Sequence, residues 1–320
     1  MTSSSQSSIA PDRKVEVIEV GTRDGLQIEP TLLSTERKIA IVNAILDSGI
    51  REIEVSSFVS PKAVPQLADA AEVINGVTRR ADTVLMALVP NLRAAERAAE
   101  TQLDAGVLLV SASETHNQKN LNRPIAASLE GMASTADRLR QAGIQAYGAI
   151  AVAFGCPFEG EVPIQRLISI VQAYANLGVD HVTLGDTTGM ATPANVRATV
   201  RALHAAVPGT TLTLHLHNTR GAGLANVMVG LDEGIRRFDS CIGGLGGCPF
   251  APGATGNICT EDLVYLLQES GWHTGVDLGR SIDVALMMEQ ALGRPLVGQV
   301  MRAGPRLRLH PVDAVRTAQG

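Results

Sequence analysis

Short apolar or β-branched runs alternate along this chain with stretches whose apolar positions recur at helical spacing. Eight such runs read as strands: Val15 to Val20, Glu52 to Ser56, Val84 to Val89, Val107 to Ser111, Gln145 to Val152, His181 to Gly185, Thr211 to His217 and Phe238 to Ile242. Between them lie patterns such as Ile164, Leu167, Ile168, Val171, Tyr174 and Ala175, which place one apolar stripe on a helix. Gly49, Gly106, Gly143, Gly178 and Gly234 each fall between a helical pattern and the next strand. A glycine there can take the left-handed conformation that ends a helix.

Eight strand and helix units in 320 residues predict a single α/β domain, a parallel (β/α)8 TIM barrel. A doubly wound open sheet also alternates strand and helix, and periodicity alone leaves both open. The predicted boundaries are a disordered tail over 1–13, a barrel over 14–290 and a short C-terminal extension over 291–320. A barrel demands that its chemistry sit where strands end. Arg23 and Asp24 follow the first run, Glu54 and Ser57 end or follow the second, and Ser113 and Glu114 follow the fourth. Asp186 and Thr187 follow the sixth, His215 and His217 close the seventh, and a glycine-rich loop over 243–257 follows the eighth.

Composition narrows the classes. At 45% hydrophobic and 18% charged the chain can bury a large core, and a net charge of -5 without a basic cluster argues against nucleic acid. No apolar run approaches the roughly 20 residues of a membrane span, so no membrane association is expected. Four cysteines without a C-x-x-C pattern read as reduced thiols in a cytoplasmic protein. Cys156, Cys241 and Cys259 suit buried core positions, whereas Cys248 lies among glycines that would let a thiol approach a substrate. The glycines of 243–248 lack the G-x-G-x-x-G spacing, which discounts a nicotinamide site.

His215 and His217 are two apart on a predicted strand, so their rings share a face and make a chelating pair. Asp24 and Asn257 extend the set to oxygen and imidazole donors, which suit Mg²⁺ or Mn²⁺ better than a structural zinc. Each also has a simpler reading: the histidines as polar residues at a strand end, Asp24 as a turn cap, Asn257 as the cap of the helix after it. Lys119 and Arg123, after the fourth strand, read either as contacts to phosphate or as a solvated surface.

The segments 20–27 (VGTRDGLQ), 56–62 (SSFVSPK), 155–160 (GCPFEG), 184–187 (LGDT), 215–219 (HLHNT) and 244–257 (GLGGCPFAPGATGN) resemble 3-hydroxy-3-methylglutaryl-CoA lyase, over about residues 14 to 300. That family belongs to the metal-dependent barrels that also include isopropylmalate and homocitrate synthases. The resemblance implies that Asp24, His215, His217 and Asn257 hold a divalent metal. It further implies that Arg23, Glu54, Asp186 and Cys248 serve the chemistry while Glu261 supports the site. It implies an acyl-CoA thioester substrate, cleaved to acetyl-CoA and acetoacetate, and a homo-oligomer, dimer or tetramer. Asn218-Thr219-Arg220 stands where the best-known lyases carry Asp-Thr-Tyr, and Phe158 replaces a tyrosine. A lyase for a related 3-hydroxyacyl-CoA such as citramalyl-CoA, a Claisen-type synthase and a non-catalytic scaffold barrel are the alternatives. Among Asp24, His215, Glu54 and Asp186 the sequence does not single out a base.

Overall fold

All eight predicted strands form, each parallel to its neighbour, and the last pairs with the first to close a barrel. The computed structural model describes residues 13–247 and 256–311. The strands are β1 (Glu16–Glu19), β2 (Glu52–Ser57), β3 (Val84–Leu88), β4 (Ala105–Ser111), β5 (Gln145–Ala151), β6 (His181–Gly185), β7 (Thr211–His215) and β8 (Arg237–Ser240). A closed parallel sheet leaves no edge unpaired, and helices cover its outer face. The open doubly wound sheet is thereby excluded.

The covering helices are α1 (Thr35–Asp47), α2 (Ala70–Gly76), α3 (Leu92–Ala98), α4 (Glu114–Leu121), α5 (Ile125–Gln141) and α6 (Ile164–Asn176), followed by α7 (Pro193–Ala206), α8 (Gly223–Asp232), α9 (Thr260–Glu269), α10 (Leu278–Leu292) and α11 (Val300–Ala303). Their starts are written locally. Ser34 accepts a hydrogen bond from the Arg37 amide, and Thr192 forms a reciprocal capping box with Asn195 ahead of Pro193. The predicted stripe of α6 buries Leu167, Val171 and Tyr174 against the sheet, joined by Ile170. No helix among the described residues is long and apolar enough to cross a membrane. Helix α10 runs across position 290, and the Asp262 carboxylate accepts the amides of Gln299 and Val300, which ties the following segment to α9.

Two local expectations change. Gly106 does not end a helix; it lies inside β4, where a Cβ would come within 2.6 Å of Leu139 in α5, so its role is to admit that side chain to the sheet. Strand β7 stops at His215, and His217 instead bridges to Asn257 in the loop after β8. Cys156, Cys241 and Cys259 are buried and free, in the core positions that free cysteine usually takes.

The remaining helix-to-strand glycines do take positive φ, but they differ in surroundings. Gly49 has φ +105° and a Cβ there would meet the Gly275 carbonyl oxygen at 2.3 Å, whereas Gly143, at φ +76°, has nothing within 4 Å. Gly143→Ala should therefore cost only the left-handed penalty of about 1 kcal/mol. Gly49→Ala should cost about 3 kcal/mol, because the backbone must also move. Denaturant unfolding of both variants measures the difference, and equal losses would contradict it.

Candidate functional site

The chain beyond β1 does not continue as a strand. The Val20 carbonyl accepts the amides of Arg23, Asp24 and Gly25, and this wide π-helical turn over Gly21–Gly25 swings Arg23 and Asp24 over the mouth of the barrel. Asp24 is buried there and its charge is answered from several sides. Oδ1 accepts from Arg23 Nη1 at 2.7 Å and Gln27 Nε2 at 2.8 Å, while Oδ2 accepts from Asn257 Nδ2 at 2.7 Å. Burial alone would raise its pKa, but Arg23 and the two histidines hold it down at about 2.

His215 and His217 face each other across 3.2 Å between their Nε2 atoms, and those atoms lie 3.9 and 4.0 Å from Asp24 Oδ2. All three residues are buried. The two rings are not equivalent. His217 is driven down to about 4 by burial and by the neighbouring His215, and its Nδ1 has no hydrogen-bond partner. Burial also depresses His215, but its hydrogen bond to Asp239 and the charge of Asp24 outweigh burial and raise it. Asn257 Oδ1 is buried and unpartnered as well. Asp24 Oδ2 and the Nε2 atoms of His215 and His217 thus converge, with the Asn257 amide nitrogen bonded to that oxygen, and this set fits a divalent cation. Gly246, at φ +101°, leaves room for it, since a Cβ would stand 2.7 Å from Asn257 Nδ2 and 3.3 Å from Asp24 Oδ2.

Glu54 is not at the end of β2 but within it, beside a register irregularity between Glu54 and Ser56. It points into the barrel, where its Oε2 sits 2.5 Å from Arg23 Nη2 and its Oε1 has no partner. Burial raises its pKa against the opposing pull of Arg23. Asp186 behaves differently from the sequence-level picture. Its Oδ1 accepts the amides of Met190 and Ala191, closing its own turn, and the cavity is lined by its neighbours Gly185 and Thr187. Its other oxygen is buried and unpartnered, and burial lifts its pKa to about 7. Cys248 lies outside the described residues. Lys119 lines the mouth, its ammonium 5.3 Å from the Phe158 ring centroid, while Arg123 faces the Leu121 carbonyl.

Sequence reasoning missed Asp239, whose Oδ2 is 3.2 Å from His215 Nδ1 and fixes that ring. Its signal was present in the alternation Arg237, Asp239, which places two charged side chains on the inner face of β8. It also missed Glu19. That buried carboxylate accepts the amides of Gly21 and Ile242 and the Thr260 hydroxyl, which fastens the π-helical turn to the loop after β8. Arg220, one of the departures from the family pattern, donates to the carbonyls of Thr188 and Gly189.

Glu261, buried in α9, accepts the Gly243 amide of the segment after β8. Burial raises its pKa from 4.5 to about 8, so the folded state keeps a proton that the unfolded chain releases near 4.5. Its stabilising effect is complete below that lower value and is lost as pH rises toward 8, at a slope of at most about 1.4 kcal/mol per pH unit. Glu261→Gln, which mimics the protonated acid, should flatten the fall in stability between pH 5 and 8. Thermal melts of both proteins across that range test this, and parallel curves would refute it.

Known proteins place this geometry in a family. The HMGL-like family model matches residues 14–288. The hydroxymethylglutaryl-CoA lyase YngG of Bacillus subtilis is 42% identical over 89% of this chain and 95% of its own length. The (R)-citramalyl-CoA lyase of Chloroflexus aurantiacus is 40% identical over 91% of this chain and 95% of its own. Among solved structures, an HMG-CoA lyase from Acinetobacter baumannii in complex with coenzyme A and 3-methylmalate superposes with a TM-score of 0.91 at 45% identity, covering 95% of this chain and 99% of that one. With a model match over most of its length and relatives of this similarity, the chain belongs to the HMGL-like family of barrel enzymes.

Proposed function

We propose that the protein is a carbon–carbon lyase that cleaves 3-hydroxy-3-methylglutaryl-CoA to acetyl-CoA and acetoacetate. The observation that carries this reading is the convergence of Asp24, His215, His217 and Asn257 beside the Arg23–Glu54 pair at the C-terminal mouth of the barrel. The four would hold a divalent ion, Mg²⁺ or Mn²⁺ by donor type, with Asp239 orienting His215. Bound there, the ion would act as a Lewis acid toward the substrate's tertiary hydroxyl.

The protein's own groups divide the remaining work. Asp24, held ionised, is a poor base and a good ligand. Glu54, with Oε1 unspent and its pKa raised, is the group placed to take the hydroxyl proton as the carbon–carbon bond breaks. Arg23 is kept charged by Glu54 and Asp24 despite burial, and its Nε lacks a partner. It can therefore stabilise the negative oxygen of the departing thioester enolate. Cys248 would return a proton to the enolate carbon, a role that rests on the resemblance and on thiol acidity. Asp186, closing its turn, positions the mouth.

Incubating the purified protein with Mn²⁺ and hydroxyacyl-CoA thioesters, followed by mass spectrometry, tests the reading. Acetoacetate with acetyl-CoA supports it; pyruvate from citramalyl-CoA alone would shift the assignment to the other named activity. Asp239→Asn should lower Mn²⁺ affinity by about 10- to 100-fold while the fold persists, because His215 loses its orienting carboxylate. Calorimetric titration reads this, and unchanged affinity would remove Asp239 from the site. Arg23→Lys should lose about 10²-fold in kcat, on the scale of deleting an oxyanion donor. Near-normal turnover of that variant would make Arg23 a structural residue.

A further inference from the structure

The eighth strand and its covering helix complete the barrel at α9, yet the chain runs on through α10 into the segment 293–300. None of the described residues of this segment lines the cavity of about 580 Å³ at the mouth. It nonetheless touches both rim pieces that carry the charged cluster. At its start Arg294 pairs with the buried Glu29, two residues beyond Gln27, which itself donates to Asp24. At its end the Asp262 carboxylate takes the amides of Gln299 and Val300.

Between those anchors the segment grips Gly243, where the glycine-rich loop begins. The Val297 amide donates to the Gly243 carbonyl at 3.2 Å, and the Glu261 carboxylate accepts the Gly243 amide at 3.1 Å. Leu296, itself buried, lies flat against the same residue: a Cβ on Gly243 would stand 2.3 Å from Leu296 Cδ1. Gly243 and Gly244 have φ of +64° and +69°, a conformation that residues with a Cβ rarely hold. Both polar groups of the Gly243 backbone and its open face are thus occupied from outside the barrel.

The site uses what Gly243 fixes. Two residues on, the Leu245 carbonyl accepts the Asn257 backbone amide at 3.2 Å and Asn257 Nδ2 at 3.1 Å. The same Nδ2 reaches Asp24 Oδ2 at 2.7 Å. Leu245 also packs on the turn that carries Asp24, since a Cβ on Gly25 would come within 2.8 Å of Leu245 Cβ. We propose that the segment 293–300 is a positioning element of the metal centre: by fixing Gly243 it holds the Leu245 carbonyl, and through that carbonyl the Asn257 amide on Asp24 Oδ2. Leu296 and Arg294 are its positioning residues. The inference rests on the divalent-metal part of the lyase reading and deepens it.

Calorimetric titration of the metal-free protein with Mn²⁺ reads the effect without turnover. Leu296→Ala should bind about tenfold more weakly than wild type, the lower end of what losing a group behind a ligand costs. Leu203→Ala, which removes a buried leucine of α7 instead, should lose comparable thermal stability yet stay within twofold in affinity. Leu296→Met, which keeps the volume, should restore binding to within threefold. Arg294→Ala, which frees the other end without opening the core, should weaken binding about threefold, and it decides the matter if Leu296→Ala does not fold. Wild-type affinity in the deciding variant, or an equal loss in Leu203→Ala, would make the segment a brace for the fold alone and overturn the proposal. Hydrogen exchange gives a readout that needs no metal. In Leu296→Ala, or in Arg294→Ala in its place, the amides of 241–247 and 256–261 should exchange faster while those of β4 to β6 do not change. Unaltered exchange at the rim would also overturn the proposal. A wild type that binds no Mn²⁺ would instead refute the metal reading, with the exchange still deciding whether the segment sets the rim.

Discussion

A carboxylate taken out of water must be compensated, and at the mouth of this barrel the carboxylate is Asp24. Its two oxygens gather Arg23, Gln27 and Asn257, with the histidine pair beside them. Those partners come from the turn after β1, the end of β7 and the loop after β8. Satisfying one charge therefore brings three distant pieces of chain to one place. The compensation is incomplete by design of the donors: His217 Nδ1 and Asn257 Oδ1 remain buried without partners. A cation would be met by Asp24 Oδ2 and the Nε2 atoms of the two histidines, on the other edge of the His217 ring.

Beneath the cluster lies a second set of buried acids with a different job. Glu19 and Glu261 accept backbone amides and carry pKa values raised by burial to about 7 and about 8. They are anchors rather than ligands, since Glu19 ties the turn after β1 to Ile242 and Thr260, and Glu261 ties α9 to Gly243. The Cys259, Glu261 and Asp262 grouping could hold a metal by distance alone, yet Asp262 spends both oxygens on the amides of Gln299 and Val300. Carboxylates of the same type thus separate into a charged group and protonated or amide-bound supports, according to whether an arginine or backbone faces them.

Much of this was legible along the chain. Alternating strand and helix periods determined eight strands and the helices between them, because those periods are local consequences of backbone geometry, but they left a closed barrel and a doubly wound open sheet both standing. The spacing of His215 and His217 established a shared direction for two imidazoles, and the polar residues after strands marked the catalytic end. Only the tertiary structure decided which of those residues meet. Asp186 follows a strand as Asp24 does, but its turn captures it, and Asp239 reaches His215 only because β8 pairs beside β7. Gly106 looked like a helix end and became a point of contact for Leu139, a partner set by helix packing rather than by neighbours in sequence. Periodicity states the face of a strand on which a residue lies; it does not state the register between strands or the volume left when eight inner faces close on one another. Both follow from closure of the barrel, so the site's pairings come into being only there.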